Sequence, residues 1–412
     1  MLNSLTWEML AFPPSLTGIG LALRIILKKY HYKENNIDGF LFISIALLAI
    51  GLFQVKPSLA TSILIVLPIF FFLQSFERAK VRETVLTYIN ILILLLLQGL
   101  LEVNRNDDNA YLFLSRKFNV DGSLVEPLNS RRAQSFPLYT YLNSYFGVDS
   151  LRQLVFLDGF IGCVLLTMFF VNRLKHQSFV LLIPVIWLLI VPNFQMNSSP
   201  FFLLMALSVI YINLLIENKW NTQSIVRLGV LTSLSIAIRP QSLVFILITF
   251  LVMVVYARHF LPLYLLICAA QILAWMAIQY HDTNSLGVPG VSTGENPIWI
   301  SYVGWESEHV LTLHQFREPI LQIFLGVSVL VSLVASRLFS QYINKPTRTI
   351  VSLASVGSII FSLAMIWWLG PDSHSHRRYY LPFLYGSGIT ILILILDKVN
   401  FKSPNQKSNL NV

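Results

Sequence analysis

An adjacent pair of acids, Asp107 and Asp108, opens a long polar stretch in an otherwise very apolar chain. The pair follows an apolar run ending at Leu101, and the polar stretch extends from residue 103 to residue 149. A carboxylate placed there can act as a general base toward a hydroxyl group, or it can hold a divalent cation. It can also be a solvated acid at a helix end. Carboxylates are costly to desolvate at the end of a membrane span, which favours a functional role.

Two further polar clusters interrupt the apolar runs. Arg239 precedes Pro240, and its planar guanidinium suits a phosphate, although an arginine near a span end can also extend to lipid headgroups. The segment containing Tyr302, Trp305 and Glu306 has aromatic rings that could stack on a sugar. The alternative for that segment is an interfacial aromatic anchor.

A fourth cluster lies just before the last apolar run. Arg377, Arg378 and Tyr379 could clamp a phosphate, or the two arginines could contact lipid phosphates. Immediately upstream, a carboxylate and two imidazoles alternate with a spacing that could serve a metal ion. These candidate metal ligands are Asp372, His374 and His376.

The elements that position these clusters are apolar helices. Hydrophobic residues make up 55% of the 412 residues and charged residues 12%, about half of the charged fraction of a soluble domain. We therefore expect an all-α polytopic membrane protein. About 20 apolar residues are needed for each crossing, which predicts about thirteen transmembrane helices. Their predicted centres lie near residues 17, 47, 66, 93, 161, 185, 208, 232, 248, 270, 329, 359 and 388.

The charge distribution predicts the sidedness of the loops. Most of the 29 Lys and Arg fall in every second loop, which marks those loops as cytoplasmic. The N-terminus is then outside, and the long loops 103–149 and 280–318, which we expect to carry short helices, are extracytoplasmic with all four polar clusters. The chain divides into N-terminal helices of unassigned role (1–84), a catalytic module (85–397) and a cytoplasmic tail (398–412).

Other features restrict the function further. Cys163 and Cys268 both lie in predicted spans, so we expect no disulfide in a loop. The N-terminus lacks the features of a cleaved signal peptide and is expected to be retained. No nucleotide-binding motif is present, and the excess of basic residues follows the loops rather than a nucleic-acid site. Asp158 lies within the fifth predicted span, as a functional acid or, as we favour, a hydrogen-bond partner between helices.

Residues 107–118, 122–132 and 137–142 together resemble the first extracytoplasmic loop of the GT-C glycosyltransferases, in the aminoarabinose-transferase and protein O-mannosyltransferase branches. The resemblance covers the chain from about residue 85 onward. It implies that Asp107 is the essential acid of the family and Tyr111 the tyrosine that follows it.

This sequence departs from the family pattern at three positions. Asp108 stands where relatives have Glu, and Ser135 and Phe136 stand where they have Lys-Pro. The basic contact supplied there in relatives would have to come from a neighbour. The candidates are Arg131 and Arg132.

The resemblance implies transfer of a sugar from a polyprenyl-phosphate donor to a hydroxyl of a glycan, lipid or protein acceptor, with inversion at the anomeric carbon. Asp107 would be the base, and the arginines would stabilise the departing phosphate. The expected location is a bacterial plasma membrane, with the bilayer as a partner. No cofactor is implied beyond a divalent metal ion as an open alternative. The competing functions are a lipid-linked glycan flippase or transporter, and a glycan ligase or polymerase.

Overall fold

The computed structural model is helical over almost all of the residues that it describes. The described residues are 5–27, 37–53, 57–74, 78–98, 112, 115–116, 137–171, 173–174, 177–190, 200–217, 220–283, 292–293, 296–297, 344–369 and 381–398. The α-helices are α1 (Trp7–Ile26), α2 (Ile37–Leu52), α3 (Pro57–Gln74), α4 (Arg78–Gln98), α5 (Pro137–Tyr145), α6 (Leu151–Val171), α7 (Ile183–Ile190), α8 (Phe201–Ile216), α9 (Thr222–Ile238), α10 (Val244–Tyr256), α11 (Leu261–Thr283), α12 (Lys345–Leu369) and α13 (Leu381–Lys398).

Twelve of the predicted span centres fall within these α-helices, and the centre near residue 329 lies outside the described residues. By length and composition, four described helices could cross a membrane: Trp7–Ile26, Lys80–Gln98, Leu151–Val171 and Lys345–Ala364. The other apolar helical stretches among the residues with described side chains are 10–17 residues long. The helical fold class and the membrane-like character are thus confirmed, whereas the count of thirteen spans stays a prediction.

The two predicted loops differ in the parts that the structure describes. The loop 103–149 contains α5, as expected for a loop with a short helix. In the described part of the loop 280–318, the chain leaves α11 at Thr283 and then forms a two-residue antiparallel ladder between Ser292–Thr293 and Asn296–Pro297. The short helix expected in this loop stays a prediction, because most of the loop lies outside the described residues. Gly and Pro are frequent in this segment, and they favour turns over helix.

Two helices, α6 and α8, form the centre of the bundle. Both are buried along nearly their whole length, because their side chains are apolar on every face. Gly162 of α6 allows this close packing, since a Cβ atom at that position would lie 2.6 Å from the ring of Phe202. Around this pair, α4 and α7 pack against α6, while α12 and α13 pack against α8.

A chain of hydroxyl groups connects four helices beside this centre. The Tyr211 hydroxyl of α8 donates to the carbonyl of Phe245 in α10 over 2.8 Å and lies 3.2 Å from the Tyr264 hydroxyl of α11. The Tyr264 hydroxyl is in turn 2.9 Å from Thr232 Oγ1 of α9. Buried hydroxyls need such partners, so the network specifies how α8, α9, α10 and α11 meet.

Contacts between helix ends show in which direction each helix runs through the bundle. We call the end of the bundle that contains Gln98, Arg152 and Asp158 the loop end: Gln98 Nε2 donates to the Arg152 carbonyl over 2.9 Å. The opposite, basic end contains two ion pairs, Arg227–Asp38 and Arg173–Glu217. Consequently α6 and α8 run parallel to each other, as do α2 and α9.

Candidate functional site

Asp158 lies two turns into α6 and caps the start of α8. Its two carboxylate oxygens accept the backbone N–H groups of Phe202 and Leu203, each over 2.9 Å, and the N–H of Phe201 also bonds to it. The first N–H groups of a helix have no partner within the helix, and the N-cap residue Pro200 has no side chain that could accept them. Asp158 supplies that acceptor from a neighbouring helix. The favoured prediction, a hydrogen-bond partner between helices, is confirmed.

Arg239 ends α9 with its side chain inside the protein. The residue is 2% exposed, and its backbone is extended, with φ −155° and ψ 124°. Proline disfavours helical geometry in the residue before it, so Pro240 ends the helix here, as the sequence predicted. A side chain that extended to lipid headgroups would be exposed. That alternative for Arg239 is therefore excluded, and binding of a phosphate stays a prediction.

Asp158 and Arg239 form one charged cluster with the N-terminus of α8. Arg239 lies close enough to Asp158 to stabilise its negative charge. A helix N-terminus carries about +0.5 of an elementary charge. The cluster therefore combines one carboxylate with a guanidinium and a positive helix end, and its sum is positive. Such a sum suits a site that receives an anion.

The loop helix α5 is embedded in the bundle. It packs against α2, α3 and α9, and Tyr139, Tyr141 and Tyr145 are all buried. Gly51 of α2 leaves the space that the Tyr141 ring occupies. Because α9 ends at Arg239, the helix of the acid-bearing loop contacts the element that carries the buried arginine.

The turn after α5 is held by α1. Gly147 has φ +60°, a left-handed conformation that glycine adopts without strain, and a Cβ atom there would lie 3.4 Å from the Glu8 carboxylate. Phe146 packs edge-to-face on Phe12, with ring centroids 4.9 Å apart. Burial, together with the nearby charge of Glu8, raises the pKa of Tyr145, so its hydroxyl stays protonated.

The start of α13 lies beside the start of α10. Phe383 of α13 packs edge-to-face on Phe245 of α10, with ring centroids 5.4 Å apart. Phe245 follows Arg239 closely in the sequence, and Phe383 follows Tyr379 closely. The two segments with candidate phosphate-binding arginines therefore precede neighbouring helix ends.

Most of the residues predicted from motifs lie outside the described part of the chain, so their geometry is untested. They are Asp107, Asp108, Tyr111, Arg131, Arg132, Tyr302, Trp305, Glu306, Asp372, His374, His376, Arg377, Arg378 and Tyr379. Within the described ranges, no group of three or more His, Cys, Asp or Glu residues could hold a metal ion. Cys163 and Cys268 are free and buried, as their placement in spans predicted.

The motif search missed the contacts that give the first three helices a role. Asp38 of α2 forms a two-pronged ion pair with Arg227 of α9, with N–O distances of 2.6 and 2.7 Å. Together with the α5 contacts, this pair attaches the N-terminal helices to both the loop helix and the helix of Arg239. The sequence did show an acid, Asp38, at the start of an apolar run, but its partner Arg227 lies 189 positions away and could not be identified from spacing.

No known protein family matches this chain, and no match was found among curated proteins or solved structures.

Proposed function

We propose that this protein is a GT-C-like membrane glycosyltransferase. It transfers a sugar from a polyprenyl-phosphate donor to an acceptor hydroxyl of a glycan, lipid or protein on the extracytoplasmic side of a bacterial plasma membrane. Asp107 is the general base in this proposal, and Asp108 is its neighbour. The motifs of the loop 103–149 supply the acid, and the described geometry supplies an arginine suited to the leaving group.

The observation that carries the proposal is the buried position of Arg239 at the loop end. The transfer breaks the bond between the anomeric carbon and the phosphate oxygen, so negative charge develops on the lipid phosphate as it leaves. A donor fixed in advance stabilises this charge most strongly where water is excluded. Arg239 is buried, its backbone is set by Pro240, and it lies near Asp158, the carboxylate that caps the N-terminus of α8.

The acceptor side of the reaction rests on Asp107. A base within hydrogen-bond reach of the acceptor hydroxyl takes its proton while the oxygen attacks the anomeric carbon. Attack from the face opposite the phosphate inverts the configuration. The packing of α5 on α9 supports this division of roles, because α5 belongs to the same predicted loop as Asp107 and contacts the helix that ends at Arg239.

Two further arginines are proposed to bind the same leaving phosphate. Arg377 and Arg378 precede α13, and the start of α13 packs on α10 directly after the Arg239 turn. In the proposal these arginines join Arg239 around the phosphate. Tyr379 adds a hydroxyl donor, and Tyr302 and Trp305 supply a platform for the sugar ring.

The positions of the described buried charges favour the enzyme over a flippase. A transporter carries ionisable groups near the middle of the membrane. Here Asp38 and Arg227 lie at the basic end, and Arg239 lies at the opposite helix end, with Asp158 two turns from the start of α6. This distribution is the one expected for chemistry at one face.

The proposal is tested with Asp107→Asn in reconstituted vesicles. Transfer of radiolabelled sugar from undecaprenyl phosphate to membrane acceptors should be abolished, because the amide cannot take a proton, while yield and thermal stability stay at the wild-type level. Asp108→Asn is the matched control and should keep most of the activity. Wild-type transfer rates for Asp107→Asn exclude the proposed base.

Two further measurements separate the alternatives. If the acids hold a cation, EDTA abolishes transfer and Mg²⁺ or Mn²⁺ restores it, whereas a general base is insensitive to chelation. A flippase moves a fluorescent lipid-linked sugar between leaflets without transferring it. Such movement, unchanged in Asp107→Asn, assigns the protein to the transporter class.

A further inference from the structure

We propose that Asn143 of α5 binds adjacent hydroxyl groups of a sugar ring. This inference rests on the proposed function and deepens it, because it names a residue that no motif identified. Asn143 is fully buried, and neither its side-chain oxygen nor its side-chain nitrogen has a hydrogen-bond partner. A buried amide in this state loses its bonds to water and gains none from the protein.

The other buried asparagines of the described ranges behave differently. Asn213 Nδ2 donates to the Val209 carbonyl over 2.8 Å and also contacts Thr390 Oγ1. Asn90 Nδ2 donates to Thr167 Oγ1 over 2.6 Å and to the Val180 carbonyl over 2.9 Å, although Asn90 Oδ1 has no partner. Each of these side chains joins helices. The Asn143 carboxamide makes no such contact, so a structural role within the bundle does not explain it.

The position of Asn143 connects it with the site. It lies on α5, the described helix of the acid-bearing loop, and α5 packs against α9, which ends at Arg239. Polar groups left without partners in a folded protein call for an explanation, and a ligand at a functional site is one. A ligand that reaches this helix would supply the missing bonds.

The chemistry of the carboxamide selects the ligand. Asn has two donor hydrogens and one acceptor oxygen. A phosphate only accepts, so it would leave the Asn143 oxygen without a donor, and a polyprenyl chain does neither. Two adjacent hydroxyls of a sugar can accept from the amide nitrogen and donate to the amide oxygen at the same time. The ring could belong to the donor lipid or to an acceptor glycan, since both present the same hydroxyls.

The test replaces the amide with an apolar group of the same size. Asn143→Leu removes the buried polar atoms, so its melting temperature should equal or exceed that of the wild type. Asn213→Leu is the matched control and should melt at a lower temperature, because it loses real hydrogen bonds. Asn143→Ala serves as a second variant with the same binding expectation if the leucine variant is not recovered folded.

Binding is measured with lipids that differ only in the sugar. The probes are undecaprenyl phosphate, the same lipid carrying glucose, mannose or arabinose, and an undecaprenyl-diphosphate oligosaccharide as the acceptor analogue. Asn143→Leu should bind the preferred sugar-bearing lipid about tenfold more weakly than wild type, which matches the loss of a hydrogen bond or two. Its affinity for undecaprenyl phosphate should stay within about twofold. Loss confined to the donor lipids assigns the ring to the donor, and loss confined to the oligosaccharide assigns it to the acceptor.

Two results overturn the inference in distinguishable ways. If Asn143→Leu lowers the melting temperature as Asn213→Leu does and still distinguishes the sugar-bearing lipids, Asn143 is structural while the proposed function stands. If the wild-type protein binds no sugar-bearing lipid and transfers no sugar, the proposed function falls, and the role of Asn143 falls with it.

Discussion

Arg239 shows how one side chain can be placed by its immediate neighbours. Pro240 forces the backbone of Arg239 out of the helix, and the side chain is buried close enough to Asp158 to stabilise its negative charge. A buried arginine is stable only with compensating negative charge or acceptors. Asp158 provides part of this compensation and also caps α8, so one carboxylate serves two elements.

We expect Arg239→Lys to lower kcat about 100-fold, the typical loss when one fixed donor to a developing negative charge is removed. Lysine keeps the charge but loses the planar fork that contacts two phosphate oxygens at once. The measurement is steady-state transfer with the polyprenyl-phosphate sugar. Arg258→Lys, at an exposed position, is the control and should leave kcat unchanged. Equal kcat values in the two variants contradict a role for Arg239 at the leaving group.

At the scale of elements, α1, α2 and α3 form a surface on which α5 packs, and we call this surface the socket. Helices α1, α2 and α3 are joined by close packing, and Gly18 permits it because a Cβ atom there would overlap the backbone of Pro68. Phe12 packs on Phe146 directly after α5, and the ring of Tyr141 in α5 occupies the space left by Gly51. The socket is fixed to the rest of the bundle through Asp38 and Arg227 at the basic end.

Breaking the Asp38–Arg227 pair should destabilise the protein by about 3 kcal/mol, since removing one member takes the opposite charge away from a largely buried side chain. The side chains are 8% and 11% exposed. Asp38→Asn and Arg227→Gln should each lower the free energy of unfolding, and a double-mutant cycle should show strong coupling. The pair Arg173–Glu217, with both side chains 28% exposed, is the control, and about 1 kcal/mol or less is expected there. Equal coupling in both pairs would mean that the buried pair does not hold the socket.

At the scale of the whole molecule, described helices run in opposite directions between the loop end and the basic end, as α8 and α9 do. The contact of Gln98 with Arg152, the capping of α8 by Asp158 and the position of Arg239 all belong to the loop end. The sidedness expected from the charge of the loops stays a prediction.

The predicted sidedness can be tested by cysteine labelling. The two native cysteines are buried, so they provide a silent background. Ser123→Cys, in the loop 103–149, should react with an impermeant maleimide in intact cells. Ser403→Cys, in the C-terminal tail, should react only after permeabilisation. The reverse pattern would place Asp107 in the cytoplasm, away from an extracytoplasmic lipid-linked donor.

The prediction from sequence was strongest where a property depends on neighbouring residues. Long apolar runs define helices wherever they fold, and twelve predicted centres lie in described helices. The break at Pro240 follows from the steric demand of proline on the residue before it. The short helix expected in the second loop stays a prediction, because the structure describes only residues 280–283, 292–293 and 296–297 of that loop.

The sequence by itself therefore determined the helical class, the helix end at Arg239 and the motifs that point to sugar transfer, because each arises from local composition or spacing. Only the tertiary structure decided that Arg239 is buried beside Asp158, that Asp38 meets Arg227 and that Asn143 has no partner. These facts depend on which helices pack together. The sequence of an apolar helix says little about which helix it packs against, since one apolar face packs on another with similar energy. The few polar side chains meet their partners only once the helices have packed.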